Sequence, residues 1–228
     1  MKRLLWLFLL LRLLPPAGAD PTVFLTETGR RYHRDGCTYL ARTRIPIALS
    51  EAAAVGYTPC RACEPPAPPA SMPPEPSGLY RVNVAGLPSY TRADRSLMLP
   101  AVVVRHIDGD TVYVSLPRPP EGLSNHESVR LLGVDTPPAA RSFGGEAGEF
   151  TRARLLHRVV YLAFDWNLRD AYQRLLAYIY LPDGSCHNAD LIREGYGHAY
   201  SRFPFHFLEE FRALERTARE QGRGLWAR

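Results

Sequence analysis

Between residues 99 and 181 the sequence repeats one pattern: short runs of β-branched and aromatic residues separated by turn-forming or polar segments. Runs of this length and composition are typical of β-strands. Five strands are predicted, at Ala101 to Arg105, Val112 to Leu116, Val129 to Val134, Val159 to Phe164 and Leu175 to Leu181. Asp108-Gly109-Asp110 predicts a hairpin turn between the first two, because Asp-Gly is a favoured hairpin dipeptide. A long loop is predicted from Pro117 to Ser128.

Three later segments have the apolar spacing of α-helices. They are Glu146 to Arg158, about Asn188 to Glu194 and about Pro204 to Glu220. Gly195 and Gly222 follow the second and third segments, as expected at helix C-termini. Phe207, Phe211 and Leu214 form one apolar stripe on the last helix. Five short strands with three helices indicate the α+β class and a small closed barrel.

The N-terminus has the order of a signal peptide. Lys2 and Arg3 precede an apolar run from Leu4 to Leu14. Ala17-Gly18-Ala19 then supplies the small residues of a cleavage site. The run is shorter than the ~20 apolar residues of a membrane-spanning helix, so a retained anchor is less favoured. We therefore predict cleavage after Ala19 and a secreted or periplasmic protein with no stable membrane insertion.

The rest of the chain divides into three predicted segments. They are a Cys/His module at residues 20–63, a proline-rich linker and lead-in at 64–98, and a C-terminal domain at 99–228. Proline is dense from residue 64 to 77, which favours an extended, semi-rigid spacer over a packed core. Residues 79–97 have no clear pattern, and Val82 to Ala85 is either a short strand or part of an irregular lead-in.

The N-terminal module contains one histidine and three cysteines at metal-ligand spacing: His33, Cys37, Cys60 and Cys63. Tetrahedral zinc accepts these soft ligands. A module of this size has too small a hydrophobic core to fold without a cross-link, and a structural zinc ion would provide one. Disulfides are the alternative, because an exported protein meets an oxidising compartment. Three cysteines leave one over unless Cys186 reaches across the linker, so zinc is the favoured interpretation.

Two aspartates and two arginines stand at the ends of the predicted strands. Asp110 lies in the hairpin turn, Arg130 begins a strand that leads to Asp135, and Arg174 precedes the fifth strand. If the strands pair, carboxylates suited to a hard cation such as calcium would meet guanidinium groups suited to phosphodiester oxygens. Such a group would neutralise charge that builds up on phosphorus during attack by water. Taken singly, the aspartates are equally typical of turns and the arginines of surface ion pairs.

These residues stand in sequence blocks that resemble the thermonuclease (staphylococcal nuclease-like) family. The blocks are Ile107-Asp108-Gly109-Asp110-Thr111, Val129-Arg130-Leu131-Leu132-Gly133-Val134-Asp135-Thr136-Pro137, Phe143-Gly144 with Glu146-Ala147, Arg174-Leu175-Leu176-Ala177-Tyr178-Ile179-Tyr180, Leu191-Ile192-Arg193-Glu194-Gly195-Tyr196 and Gly222-Arg223-Gly224-Leu225-Trp226. They occur in the family's order and cover roughly residues 99 to 228. The segments around His33 and Cys60 resemble small zinc-binding modules related to the metal-binding domain of the DNA-repair methyl sensor Ada.

The thermonuclease resemblance implies an OB-fold barrel that hydrolyses DNA and RNA phosphodiester bonds with one calcium ion, in a monomeric catalytic domain. By position it assigns calcium binding to Asp110, Asp135 and the Thr136 carbonyl, phosphate binding to Arg130 and Arg174, and contact with a terminal phosphate to Tyr172. The net charge of +5 and the pI near 9.2 suit a polyanionic substrate. A mild basic excess alone does not identify one.

One residue departs from the family pattern. Pro138 stands where the family has a glutamate that acts on the attacking water, and proline cannot accept a proton. Loss of a positioned base costs about 10²- to 10⁴-fold in rate. Glu146 and Glu149 are the nearest later carboxylates and the candidates for a substitute. The alternative interpretation is a weakened or inactive barrel that binds nucleic acid without cleaving it.

Overall fold

The computed structural model describes residues 20–68, 89–91 and 94–227. The predicted signal peptide, most of the proline-rich linker and the strand considered at Val82 to Ala85 lie outside these ranges. The strands are β1 (Thr22–Leu25), β2 (Arg31–Tyr32), β3 (Ile45–Ala48), β4 (Thr58–Pro59), β5 (Leu99–Asp108), β6 (Thr111–Ser115), β7 (His126–Leu131), β8 (Val134–Asp135), β9 (Val159–Arg169), β10 (Leu175–Tyr180) and β11 (His198–Ala199). The helices are α1 (Leu49–Val55), α2 (Gly144–Leu155), α3 (His187–Arg193) and α4 (Leu208–Glu220). In the ranges given above, no helix has the length and apolar character needed to span a bilayer.

Five strands close into a barrel in the order β10-β7-β6-β5-β9, and β9 pairs with β10 to complete it. β7 and β10 run parallel, whereas the other neighbours are antiparallel. Inward side chains such as Val103, Val114 and Leu162 form the core together with residues of α3 and α4. The predicted α+β class, the five-stranded OB-fold barrel and the three helices of the C-terminal part are confirmed.

Several boundaries differ from the predictions. The predicted long loop is shorter, because β7 already begins at His126 and pairs with β6. The third predicted strand divides in two, because Gly133 turns the chain with φ of +76° and β8 then pairs with β11. Helix α2 ends at Leu155 because His157 adopts a left-handed φ of 62°. Helix α4 begins at Leu208, because Phe205 and Phe207 are buried in the core before the helix starts.

The N-terminal module forms a small layer on the outside of the barrel. It contains the antiparallel pair β1–β3, the parallel pair β2–β4 and helix α1. Its core residues, such as Val23 and Ile45, cluster with Val102 and Val104 of β5 and Val159 of β9. The module and the barrel therefore share one apolar cluster.

Strand β5 is consequently buried on both faces. Ala101 and Val103 belong to the barrel core, whereas Val102 and Val104 belong to the cluster shared with the module. A strand that is buried on both faces has a continuous run of apolar residues instead of alternating apolar and polar residues. The packing thus explains why residues 101–104 contain no polar side chain.

Candidate functional site

The turn between β5 and β6 is held from several sides. The backbone N–H of Asp110 donates to Asp108 Oδ1 at 3.1 Å. Thr151 of α2 donates from Oγ1 to the Gly109 carbonyl at 2.5 Å. The side chain of Thr136 approaches Gly109 so closely that a Cβ at this glycine would lie 2.7 Å from Thr136 Oγ1. These contacts define the position of the Asp110 carboxylate.

The Asp110 carboxylate is buried and accepts four hydrogen bonds or ionic contacts. Thr136 donates to Asp110 Oδ2 from its backbone N–H at 2.9 Å and from Oγ1 at 3.0 Å. Thr111 Oγ1 donates to Oδ1 at 3.1 Å, and Arg130 Nη2 lies 3.2 Å from Oδ2. Burial raises the pKa of Asp110, and the positive charge of Arg130 acts in the opposite direction. The surroundings therefore supply the positive charge and donors that a buried carboxylate requires.

Arg130 joins the two predicted aspartates. Its Nη2 lies 3.2 Å from Asp110 Oδ2 and 3.1 Å from Asp135 Oδ1, while Nη1 donates to the carbonyls of Leu131 and Val134. The Arg130 side chain is 14% exposed and that of Asp135 is 53% exposed. The structure thus brings Asp110, Arg130, Asp135 and Thr136 together, as the sequence predicted. The buried Asp110 carboxylate and the half-exposed Asp135 carboxylate are oxygen ligands of the kind that calcium prefers.

Arg174 reaches the same site from the neighbouring strand. The parallel register of β10 and β7 places Leu176 opposite Arg130, and Arg174 lies just before β10. Arg174 Nη1 lies 3.5 Å from Thr111 Oγ1, the hydroxyl that also contacts Asp110. On its other edge, Arg174 Nε donates to Asp170 Oδ2 at 2.7 Å. Both predicted phosphate-binding arginines therefore lie at one end of the barrel.

A cleft of about 470 Å³ opens beside these residues. Its lining includes Arg130, Asp135, Arg174 and Tyr172. Tyr172 is 82% exposed and its ring centroid lies 5.5 Å from the Arg174 guanidinium carbon. Two further exposed aromatic side chains, Trp166 and Phe203, also line the cleft. Cationic groups next to aromatic faces suit a ligand that carries both phosphates and bases.

Several residues that organise the site were not predicted. Asp170 orients Arg174, and Thr111 links Arg174 to Asp110. The Asp170 carboxylate also accepts the backbone N–H of Tyr172 at 2.9 Å. An Asx-type turn signal was present in the sequence Asp170-Ala171-Tyr172-Gln173, but only the fold shows which side chain the aspartate holds.

The histidine and cysteines of the N-terminal module form a second cluster. The ligand atoms of His33, Cys37, Cys60 and Cys63 all lie within 4.8 Å of one another. His33 Nδ1 is 3.3 Å from Cys37 Sγ and 4.0 Å from Cys63 Sγ. A tetrahedral zinc site with bonds of about 2.0–2.3 Å has edges of roughly 3.5–3.8 Å, which these distances bracket. The four cysteines are free, and Cys186 is buried in the barrel core.

Strand pairing explains how distant residues reach this cluster. β2 and β4 pair in parallel, with Tyr32 opposite Pro59, so that His33 and Cys60 leave the strands side by side. The Cys60 N–H donates to the Tyr32 carbonyl at 3.0 Å, and the Glu64 N–H closes the Cys-x-x-Cys turn onto the Cys60 carbonyl at 3.1 Å. The cluster is therefore a candidate metal-binding group built by the module's own backbone.

Gly109→Ala is expected to lower the free energy of unfolding by about 1–3 kcal/mol. The added Cβ would lie 2.7–2.9 Å from the Thr136 side chain, and both positions are buried. Gly145→Ala is the matched control, since a Cβ there meets no atom within 4 Å and helix α2 would gain about 0.5–1 kcal/mol. Urea unfolding of both variants measures the difference. Equal loss of stability in the two variants would contradict the close contact.

Comparison with known proteins identifies relatives of the barrel. The family model "Staphylococcal nuclease homologue" matches residues 128–228. A thermonuclease of Staphylococcus hyicus is 30% identical over 132 residues, covering 55% of this chain and 74% of the relative. A thermonuclease of Staphylococcus intermedius is 36% identical over 104 residues, covering 43% of this chain and 58% of that protein. An uncharacterised endonuclease of Escherichia coli is 29% identical over 125 residues, covering 55% and 75% of the two chains.

The matched relatives agree with the fold of the barrel. The barrel is closed and five-stranded, Arg130 contacts Asp110 and Asp135, and Arg174 contacts Thr111 beside them. The chain therefore belongs to the family of staphylococcal nuclease homologues, whose chemistry is phosphodiester hydrolysis.

Proposed function

We propose that this nuclease is an exported, monomeric enzyme that hydrolyses phosphodiester bonds of DNA or RNA with the help of one calcium ion. One observation carries the proposal: Arg130 contacts the Asp110 and Asp135 carboxylates through a single nitrogen, at 3.2 and 3.1 Å. The arrangement places two hard oxygen ligands within hydrogen-bonding distance of one nitrogen of a guanidinium group suited to phosphate. Export is supported by the signal-like order of residues 2–19.

The residues present fit calcium. Asp110 and Asp135 offer carboxylate oxygens, and the family resemblance assigns a third ligand to the carbonyl of Thr136, whose N–H and Oγ1 bind Asp110. Calcium prefers such oxygen ligands and accepts them in a flexible geometry. When bound, it would supply Lewis-acid chemistry at the phosphate.

The two arginines would bind the phosphate from different strands. The Nε of Arg174 is occupied by Asp170, which leaves its Nη groups beside the cleft for phosphate oxygens. The Asp135 carboxylate is half exposed, so a phosphate can compete with it for Arg130 Nη2. Fixed guanidinium groups stabilise the charge that develops on the equatorial oxygens during in-line attack. Tyr172, on the rim of the cleft, would contact a terminal phosphate.

The site carries no carboxylate at the position where the family has its general base, because Pro138 stands there. Pro138 is exposed and its carbonyl accepts the Arg141 N–H at 2.8 Å in a tight turn. Glu149 is held by two contacts of 2.7 Å to Arg152, and this hydrogen bonding lowers its pKa. A carboxylate engaged in this way is a poor proton acceptor. Glu146 is exposed and, like Glu149, does not line the cleft. We therefore expect slow turnover by water that neither carboxylate activates.

Pro138→Glu is expected to raise the rate of single-stranded DNA cleavage by about 10²-fold or more, because it restores a carboxylate at the position where the family has one. The measurement is the release of acid-soluble fragments in calcium and in chelator. Ala140→Glu adds the same charge at an exposed position of the same loop and serves as the control. Tight calcium-dependent binding without cleavage, in both the natural protein and Pro138→Glu, would instead establish the alternative of a nucleic-acid-binding barrel.

We also propose that the Cys3His cluster holds a structural zinc ion. The mutual distances of the ligand atoms support this assignment. The four cysteines are free, which is evidence against a disulfide between the module and Cys186. The chemistry of three thiolates and one imidazole is that of closed structural zinc sites.

A further inference from the structure

A second groove, of about 1030 Å³, crosses the N-terminal module and shares no lining residue with the catalytic cleft. Four arginines line it: Arg30, Arg31, Arg42 and Arg61. The four come from three separate segments, namely the start of β2, the loop before β3 and the Cys-x-x-Cys turn. The fold of the module therefore gathers positive charge that is dispersed in the sequence.

These four guanidinium groups are available to a ligand. All four residues are exposed, and the described part of the chain provides none of them with an ion pair or a side-chain hydrogen bond. Other arginines of the module are engaged: Arg44 pairs with Asp35, and Arg34 donates to the Glu64 carbonyl. Isolated surface arginines are common, but four uncompensated ones around one concavity repel each other and need a counter-charge.

The groove also provides a surface for a base. Tyr39 lines it and is 64% exposed, and its ring centroid lies 5.9 Å from that of His33. The hydroxyl groups of Thr28, Thr38 and Thr43 add neutral hydrogen-bond donors to the lining. Cations that follow a backbone, next to an exposed aromatic ring, are the features of proteins that bind single-stranded nucleic acid.

The single acidic side chain in the described lining does not cancel this charge. Glu27 is directed to the barrel, where its Oε1 lies 3.8 Å from Arg105 Nε. Arg105 stands on β5 three residues before Asp108, which is on the order of 10 Å along an extended strand. One edge of the groove therefore adjoins the strand that leads to the catalytic turn.

We propose that this groove is a second nucleic-acid-binding site, which holds the sugar-phosphate backbone of a single strand while another part of that strand occupies the catalytic cleft. Arg30, Arg31, Arg42 and Arg61 bind phosphates, and Tyr39 stacks on a base. The inference rests on the proposed function in one respect, since it takes the bound strand to be the substrate. Binding to two sites on one protein raises the affinity for long strands over short ones.

The test compares two double variants that each remove two positive charges. Arg42→Gln/Arg61→Gln changes exposed loop residues of the groove, whereas Arg212→Gln/Arg216→Gln changes helix α4, which lines neither cleft. Binding of a fluorescent oligothymidylate of about 30 nucleotides, longer than the about 4–16 nucleotides that one such fold covers, is followed by anisotropy without added calcium. The full mature protein is used, and its zinc content and thermal unfolding confirm that each variant is folded.

The groove variant is expected to bind on the order of tenfold more weakly at low salt, with a salt slope smaller in magnitude by about 1.4. The α4 variant is expected to change affinity less than about twofold. An equal loss in both variants, or none in either, would overturn the proposal. Cleavage of a trinucleotide too short to reach both sites provides the separate readout. The groove variant should leave that cleavage unchanged. Failure of the unmodified protein to cleave both the trinucleotide and the longer strand in calcium would refute the proposed nuclease activity, whereas the binding result would stand.

Discussion

Arg174→Ala is expected to lower the rate of single-stranded DNA cleavage about 10³-fold while the protein remains folded. Arg174 is anchored by Asp170 through Nε, so its other nitrogens are directed beside Thr111 and the cleft without any rearrangement. Loss of a preorganised cation at a transferring phosphoryl group removes stabilisation that exists mainly in the transition state. Initial rates at saturating substrate measure the effect.

Two further variants distinguish the loss of the planar guanidinium group from the loss of one positive charge. Arg174→Lys keeps the charge but loses the planar fork, so most of the activity should still be lost. Arg216→Ala removes an exposed arginine from α4, which lies outside the cleft, and should change the rate less than about twofold. If Arg174→Ala cleaved within tenfold of the unmodified protein, the phosphate would have to be held elsewhere.

The second large effect is expected from the Cys3His cluster, to which we assign zinc. Cys60→Ser should abolish zinc binding and lower the unfolding midpoint of the whole chain by about 10 °C or more. A loss of only ~4 kcal/mol would have this effect in a protein of this size, and structural zinc sites contribute more. The barrel should respond because Val102, Val104 and Val159 are buried against the module and would become exposed. Metal analysis and calorimetry of the same preparation provide the readouts.

Cys186→Ala is the control for this experiment, because Cys186 is a buried cysteine outside the cluster. It should retain one zinc ion per chain and show only the modest destabilisation of a core truncation. A protein without zinc whose mass is lower by the two hydrogens of a disulfide would refute the assignment. If the unfolding midpoint of the barrel were unchanged in Cys60→Ser, the apolar cluster shared by the module and the barrel would contribute little to the stability of the barrel.

Much of the catalytic end could be predicted because its residues lie next to strong local signals. The Asp-Gly dipeptide marks the turn that carries Asp110, and the β-branched runs on either side predict the strands that bring Arg130 to it. The observed register of β6 and β7 pairs Thr111 with Arg130, which completes the contact. The roles of Asp170 and Thr111 could not be predicted, since a carboxylate or hydroxyl finds its partner only when strands from distant segments meet.

The sequence by itself predicted the closed barrel, its five strands and the three helices of the C-terminal part, and it identified the charged and Cys/His residues that are candidates for the two sites. These follow from local patterns: alternation, helical periodicity, turn dipeptides and ligand spacing. Only the tertiary structure decided that the N-terminal module packs on the second face of β5, and that four dispersed arginines line one groove. Such contacts depend on which surfaces exclude water together, and the apolar run at residues 101–104 is compatible with many partners until the whole chain is packed.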